Sequence, residues 1–223
     1  MTTKLFLGAI AKFLAGVTLV GILIFLPAGT FSYFNGWLLM GILFLPMFLA
    51  GVVMMFKNPD LLKSRLNAKE KQQEQSLVVK LSGLMFLAGF IVAGLGVRFH
   101  WYVLPMGVVV GAAVVFLVAY ILYAEVLREN TYLSRTIEVQ ENQIVIDTGL
   151  YGIVRHPMYV STLLLFLSMP IVLGSVYAFL IFLAYPFIIA KRIRHEEAFL
   201  EKELDLYREY KQKVRYRLIP FIW

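Results

Sequence analysis

Long uncharged apolar runs alternate with short polar segments along this chain, and the runs have the lengths of membrane-crossing helices. Residues 13–56 carry no charged side chain over 44 positions, which is enough for two spans of about 20 residues each. The stretch PAGTFSYFNG at 27–36 supplies a turn between them. Two further spans are predicted over about 77–97 and 103–124, after the polar connector 57–76.

The last apolar run, residues 158–190, is too long for one span and short for two. It has 33 uncharged residues, whereas two full spans need about 40. Pro170 and the pair Gly174–Ser175 lie near its middle and favour a turn there. We predict a hairpin of two short or tilted helices, with one long kinked helix as the alternative. The predicted fold class is an all-α integral membrane protein with about six transmembrane helices.

The polar loop 129–157 precedes this hairpin and contains an alternating pattern. Apolar and polar residues alternate on both sides of QENQ at 140–143, which allows a small strand hairpin with QENQ as its turn. The sequence DTG at 147–149 is a second turn signal. The apolar positions of the alternation are Ile137, Val139, Ile144 and Ile146.

The segment after the last span, residues 191–215, combines charge with apolar side chains at helical spacing. This pattern predicts a cytosolic amphipathic C-terminal helix that continues from the last span and is limited by Pro220. The chain then divides into a four-span N-terminal region, 1–128, and a C-terminal region, 129–223.

Composition and charge placement agree with this organisation. The chain is 60% hydrophobic and only 16% charged, whereas soluble domains average roughly 25% charged residues. With six spans and the N-terminus inside, all of the 21 lysines and arginines except Arg98 fall on the inner side. We therefore expect a multi-pass protein with both termini cytoplasmic. The net charge of +7 reflects this topology rather than nucleic-acid binding. With no cysteine and three scattered histidines, no metal site is expected.

Several ionisable side chains are predicted to meet at the inner membrane boundary. Arg155 and His156 precede Pro157, which suits the first turn of a helix. The hairpin returns the chain to that level at 191–197, where Arg192 and Glu196 are four residues apart and share a helix face. Ionisable groups at such a depth are costly unless they are paired or functional. They fit a zwitterionic ligand, although topology anchors and ordinary ion pairs would explain them equally well.

The motifs of this half of the chain resemble those of the isoprenylcysteine carboxyl methyltransferase family. The residues concerned are GLYGIVRHPMY at 149–159, the apolar hairpin, EEAFLEKELDLYREYKQKV from 196, and IPFI from 219. That family is related to the phospholipid methyltransferases of the membrane, and this chain looks like a bacterial-type member. The resemblance covers roughly residues 130–223. It implies a bacterial inner-membrane enzyme that binds S-adenosyl-L-methionine on the cytosolic side without a Rossmann domain.

The resemblance also implies roles for individual residues. It places Arg192 and Glu196 at the reaction centre, and it matches Tyr207 and Tyr210 to tyrosines of the terminal helix. In one respect the chain departs from the family: many members carry a histidine shortly before the Gly-x-Tyr motif, where this chain has Gln143. The residues implied in cofactor binding are Tyr151, Arg155, His156, Pro157, Tyr159 and Glu197.

The expected reaction is methylation of a carboxylate on a lipophilic or prenylated acceptor, which needs no general base. Three alternatives stay open at this point. A phospholipid amine methyltransferase shares the cofactor site but needs a base, for which Glu125 and Glu129 are the candidates. A sterol-reductase-like enzyme would use NADPH instead. A non-catalytic membrane scaffold or small transporter would bind no nucleotide-like ligand. The expected partners are the acceptor and the lipid bilayer.

Overall fold

The computed structural model describes residues 3–66, 73–133, 139–140 and 142–223, and the regular secondary structure of this part of the chain is helical, with no β-strand. A 3-10 turn at Gly149–Gly152 precedes the helical hairpin. The α-helices are α1 (Thr3–Ala28), α2 (Phe34–Lys57), α3 (Pro59–Leu66), α4 (Gln73–Arg98), α5 (Met106–Glu129), α6 (Pro157–Val172), α7 (Val176–Phe182), α8 (Tyr185–Glu203) and α9 (Tyr207–Lys213).

Five helical segments of the described chain are long and apolar enough to cross a membrane. They are 6–28, 34–57, 76–98, 106–129 and the combined α7–α8 segment, 176–203. The sixth apolar helix, α6, has only 16 residues and spans about 24 Å, less than the hydrocarbon thickness of roughly 30 Å. The predicted class, an all-α integral membrane protein, is confirmed.

The last apolar run is a hairpin, as the sequence predicts, and not one long kinked helix. The chain reverses at Gly174, whose φ of 72° lies in the left-handed region. A Cβ at this position would lie 2.7 Å from Nδ2 of Asn35, so glycine also permits a close approach to α2. The hydroxyl of Ser175 then caps α7 by accepting from the backbone N–H of Ala178 at 3.2 Å.

Backbone contacts close the bundle at the level of this turn, which we call the closed end (residues 29–35, 98–105 and 173–175). Val103 and Ser175 form an antiparallel bridge, and the N–H of Leu104 donates to the carbonyl of Gly174 at 2.9 Å. The hydroxyl of Tyr33 donates to the carbonyl of Leu173 at 2.5 Å. Three connections of the bundle are thereby fastened together.

The core between the helices is aromatic and closely packed. The ring of Phe86 on α4 contacts Phe166 on α6 at 4.7 Å and Phe182 on α7 at 5.3 Å between centroids. Helices α1 and α4 approach closely at Gly94, where an added Cβ would lie 2.6 Å from the carbonyl oxygen of Ile24. The ring of Phe166 also contacts Tyr185 on α8, with centroids 4.7 Å apart. The start of α6 and the end of α8 carry the candidate site.

Two details differ from the sequence-based predictions. The continuous helix predicted over 191–215 is wrong, because α8 ends at Glu203 and Leu206 adopts a left-handed φ of 65° before α9 begins. The loop does turn at QENQ, where the N–H of Gln143 donates to the carbonyl of Gln140 at 3.1 Å. Residues 142–147 nevertheless form no strand. Ile137 and residues 67–72 of the connector lie outside the described residues.

Candidate functional site

A polar cleft lies where α5 ends, α6 begins and α8 ends; we call this the polar end of the bundle. It holds a cavity of about 100 Å³ that opens toward solvent. Its lining combines cationic, acidic, aromatic and aliphatic side chains. The lining residues are Asn130, Tyr132, Leu133, Gln143, Ile144, Val145, Ile146, Tyr151, Arg155, His156, Met158, Tyr159, Arg192, Glu196, Leu200, Leu204, Tyr207 and Tyr210.

Behind one wall of the cleft, the buried carboxylate of Glu197 contacts three cationic or imidazole side chains closely, and Nζ of Lys211 lies 3.8 Å from its Oε2. Its Oε1 accepts from Nε of Arg155 at 2.8 Å and lies 3.2 Å from Nε2 of His156. Its Oε2 accepts from Nε of Arg217 at 2.9 Å. Only 3% of the Glu197 side chain is exposed. A buried carboxylate is stable in such a place only when it is paired in this way.

The C-terminal segment 214–223 holds this wall in register. The N–H groups of Arg155 and His156 donate to the carbonyls of residues 216 and 217 at 2.9 and 3.0 Å. The guanidinium of Arg155 donates from Nη1 to the carbonyls of Val214 and Arg215 at 2.6 and 2.8 Å. Most of the hydrogen-bond donors of Arg155 are therefore used by contacts within the protein.

A second polar group joins α6 to α8 inside the cleft. The hydroxyl of Tyr159 donates to Oε2 of Glu196 and accepts from Nε of Arg192 at 2.9 Å. The ring of His156 stacks on that of Tyr159 with centroids 5.6 Å apart. Arg192 and Glu196 share the α8 face that looks toward α6, as their spacing predicts. Adjacent Glu197 points instead into the network of Arg155 and Arg217.

The 3-10 turn before α6 positions Tyr151. Carboxylate oxygens of Glu129 accept from the hydroxyl of Thr148 and the N–H of Leu150, both at 3.1 Å. Gly149 has a φ of 48°, and a Cβ there would lie 2.0 Å from Oε1 of Glu129, so no other residue fits without displacement. The turn points the carbonyl of Tyr151 at the hydroxyl of Tyr210, which donates to it at 2.8 Å.

Tyr207 differs from the other tyrosines of the cleft. It is 4% exposed, and its hydroxyl is the buried side-chain polar atom that has no hydrogen-bond partner in the described part of the chain. Burial raises the pKa of Tyr207 well above its usual value, and the charges of Glu197 and Glu196 raise it further. Burial likewise raises the pKa of Tyr151. Both side chains are therefore neutral phenols that can donate a hydrogen bond.

The departure at Gln143 also has a structural explanation. Its side-chain carbonyl accepts from the N–H of Gln140 at 2.9 Å and so closes the QENQ turn. The amide of Gln140 donates in turn to the carbonyl of Tyr132 at 2.7 Å. Gln143 lines the cleft, but its side-chain carbonyl is used to close the turn of the loop beside the cleft.

Most of the residues singled out from the sequence line one cleft. Glu197 stands behind its wall, and Pro157 begins α6 at the N1 position. Sequence reasoning missed Arg217, because it lies in a non-helical segment where four basic residues in seven positions read as a basic surface. It also missed Met158 and Asn130, whose residue types carry no chemical signal. Six of the residues line the cleft: Tyr151, Arg155, His156, Tyr159, Arg192 and Glu196.

The residues present suit S-adenosylmethionine. The cleft offers aromatic rings for a purine, a guanidinium and a carboxylate for the two ends of an amino acid, and a buried hydroxyl without a partner. Among the described residues, no group of three or more histidine, aspartate or glutamate side chains could hold a metal ion.

A comparison with known protein families finds a match that covers part of the chain. Residues 102–206 match the family model described as phospholipid methyltransferase. The matched segment contains α5, the loop, the hairpin and the catalytic candidates Arg192 and Glu196, and it ends just before Tyr207 and the C-terminal segment. No curated protein matches the chain. The C-terminal half of this integral membrane protein is thus similar to membrane methyltransferases.

Proposed function

We propose that the protein is an S-adenosylmethionine-dependent methyltransferase that methylates a carboxylate of a lipophilic, isoprenylcysteine-like acceptor at the membrane boundary. The observation that supports it best is the Tyr159–Arg192–Glu196 group, which lies in the cleft at the junction of two apolar helices. A lipid-borne acceptor can reach this level from the bilayer, while a water-soluble cofactor enters from the opposite side. The match to phospholipid methyltransferases supports the reaction class.

When bound, S-adenosylmethionine supplies a methyl group already activated on a sulfonium. The protein then has to align donor and acceptor and to exclude water. In this proposal Arg192 orients the acceptor carboxylate, and its contact with Tyr159 holds the guanidinium in place. Glu196 fixes the hydroxyl of Tyr159, and Arg155, His156, Pro157 and Glu197 form the wall against which the cofactor lies.

A carboxylate acceptor is favoured over an amine because the candidate bases are engaged elsewhere. Glu125 pairs with Arg128 at 2.6 Å on an exposed helix face. Glu129 accepts the two hydrogen bonds that hold the 3-10 turn. Neither residue lines the cleft. Phospholipid amine methylation is kept as the second candidate, because the matched family carries that description.

The cofactor part is tested by isothermal titration of the purified protein with S-adenosylhomocysteine. We expect binding by the wild type and weakened binding by the double variant Arg155→Ala/Glu197→Ala. Arg192→Ala should keep most of the binding and lose turnover. No binding by a folded wild type would contradict the cofactor assignment, and NADPH binding in its place would favour the reductase alternative.

The acceptor part is tested by incubating membranes with S-adenosylmethionine that carries a labelled methyl group, followed by mass spectrometry of the lipids. A methyl ester releases its label as methanol in mild base, whereas an N-methyl group does not. Base-labile label in the wild type that is lost in Arg192→Ala supports carboxyl methylation. Base-stable label on a phospholipid headgroup would establish the second candidate instead.

We also propose that the polar end faces the cytoplasm of a bacterial cell, with both termini on that side of the inner membrane. The chain has no cysteine, so single cysteines can be introduced and labelled with a membrane-impermeant maleimide. Lys213→Cys should be protected in intact cells and labelled after lysis, and Tyr102→Cys at the closed end should be labelled in both. The reverse pattern would invert the topology.

A further inference from the structure

Tyr207 is the strongest unexplained feature of the cleft. Its side chain is almost completely buried, it lines the cleft, and its hydroxyl has no partner among the described residues. Folding a chain so that it buries a hydroxyl without a hydrogen bond costs free energy. Buried polar atoms are nearly always satisfied in native proteins, so an orphan one points to a group that arrives later.

The neighbouring tyrosine, Tyr210, shows that a buried hydroxyl on α9 can find a hydrogen-bond partner within the protein. Tyr210, one turn further along α9, is also buried, and its hydroxyl donates to the carbonyl of Tyr151 at 2.8 Å. The two rings lie 5.7 Å apart in one apolar cluster with Leu204 and Val214. The same helix therefore presents one hydroxyl that supports the fold and one that does not.

The position of Tyr207 indicates which ligand it meets. Helix α9 lies beyond the last apolar segment, 176–203, and its cluster packs against Val139 and Val145 of the polar loop. The Tyr159–Arg192–Glu196 group belongs to the apolar helices α6 and α8. Tyr207 thus lies on the side of the cleft nearer to water.

We infer that the hydroxyl of Tyr207 donates a hydrogen bond to the bound adenosyl cofactor and completes the cofactor site from a segment outside the family match. This inference rests on the proposed function. Because burial and the nearby glutamates keep the phenol protonated, it donates and does not carry charge. The natural recipient is an acceptor oxygen or nitrogen of the cofactor.

The test is a pair of tyrosine-to-phenylalanine variants that separates binding from folding. In Tyr207→Phe an unpaired hydroxyl disappears from the ligand-free protein, so we expect a melting temperature equal to or above that of the wild type. The same variant should bind S-adenosylhomocysteine about tenfold more weakly, the effect of one lost hydrogen bond. Tyr210→Phe should instead lower the melting temperature, because it leaves the buried carbonyl of Tyr151 unsatisfied.

Isothermal titration and thermal melts of the detergent-purified full chain give the deciding outcomes. Unchanged affinity of Tyr207→Phe, with the wild type binding normally, would overturn the inference and leave the proposed function standing. A lowered melting temperature that accompanies the weaker binding would mean that the hydroxyl supports the fold. A raised KM for the acceptor with unchanged S-adenosylhomocysteine affinity would place Tyr207 against the lipid acceptor. If the wild type binds no S-adenosylhomocysteine, the proposed function fails, and the inference fails with it.

Discussion

The two ends of the helical bundle are held together by different forces. At the closed end, backbone groups and one tyrosine hydroxyl join three connections, and the contacts carry no charge. At the polar end, charged side chains from the segment before α6 and from the C-terminal segment converge on Glu197 of α8. Backbone contacts can only fix the chain, whereas charged side chains that line a cleft can also recognise a ligand. The closed end should therefore tolerate changes with loss of stability alone, and the polar end should lose stability and binding together.

The largest effect is expected from Glu197→Ala. The substitution leaves Arg155 buried without its carboxylate, and uncompensated buried charges cost about 3–5 kcal/mol. We expect a large fall in the melting temperature of the detergent-solubilised protein, together with weaker S-adenosylhomocysteine binding. Glu203→Ala, at an exposed position of the same helix, is the matched control and should behave like the wild type. A melting temperature close to that of the wild type for Glu197→Ala would refute the structural role of this network.

A second experiment compares glycines at the two ends. Gly174→Ala and Gly149→Ala each place a Cβ at a positive φ and against a neighbouring side chain, at a cost of about 1–3 kcal/mol. Both variants should melt at lower temperature, but only Gly149→Ala should weaken S-adenosylhomocysteine binding, because its turn positions Tyr151. Gly107→Ala, where a Cβ meets nothing within 4 Å, is the control. If Gly174→Ala and Gly149→Ala bound S-adenosylhomocysteine with equal affinity, the claim that only the polar end supports binding would be wrong.

A smaller effect is expected from Arg217→Ala at the polar end. Arg217 contacts Glu197 but is 27% exposed, so water can partly replace it, and we expect about 1 kcal/mol of lost stability. As a positioning residue, it should weaken S-adenosylhomocysteine binding about fivefold while kcat at saturating cofactor changes little. Arg217→Lys should restore part of the affinity. Arg215→Ala, an exposed position two residues away, serves as the control, and an equal effect there would show that only surface charge matters.

The smallest effect is expected from Asp147→Asn, which removes an exposed ion pair between the loop and α9. Lys213 donates to Oδ2 of Asp147 at 2.6 Å, and this hydrogen bond lowers the pKa of Asp147. A carboxylate with a lowered folded-state pKa stabilises the protein above its ordinary pKa of about 4 and loses that contribution as the pH falls. The melting temperatures of variant and wild type should differ slightly at pH 7 and converge below pH 4. A difference that persists in acid would exclude the ion pair as its cause.

The sequence predicts the hairpin and the meeting of its ends well because both follow from local rules. Gly174 and Ser175 interrupt an apolar run of fixed length, so the chain must return to the level of Arg155. The single helix predicted over 191–215 fails because helical periodicity continues through Leu204 while the backbone turns at Leu206. Tertiary packing of the tyrosine cluster on the polar loop overrides the local pattern there.

The contrast between Glu196 and Glu197 shows the limit of sequence reasoning most directly. Their adjacency on a helix requires that they point about 100° apart, so the sequence separates their directions. The sequence does not show which of the two side chains lies in the cleft and which lies in the buried network. Only the packing of residues 214–217 against 155–156 sends Glu197 into a buried network and leaves Glu196 in the cleft. For the same reason Arg217 carries no sequence signal, since its partner lies 20 residues away on another element.

By itself, the sequence determined that this chain is a helical membrane protein, and it predicted that all of its lysines and arginines except Arg98 lie at one end, because hydrophobic length and charge placement act locally along the chain. The tertiary structure decided which of those charges form the wall and which line the cleft, and it revealed a tyrosine hydroxyl that the fold buries without a partner. These properties depend on distances between residues far apart in sequence, which no local pattern encodes.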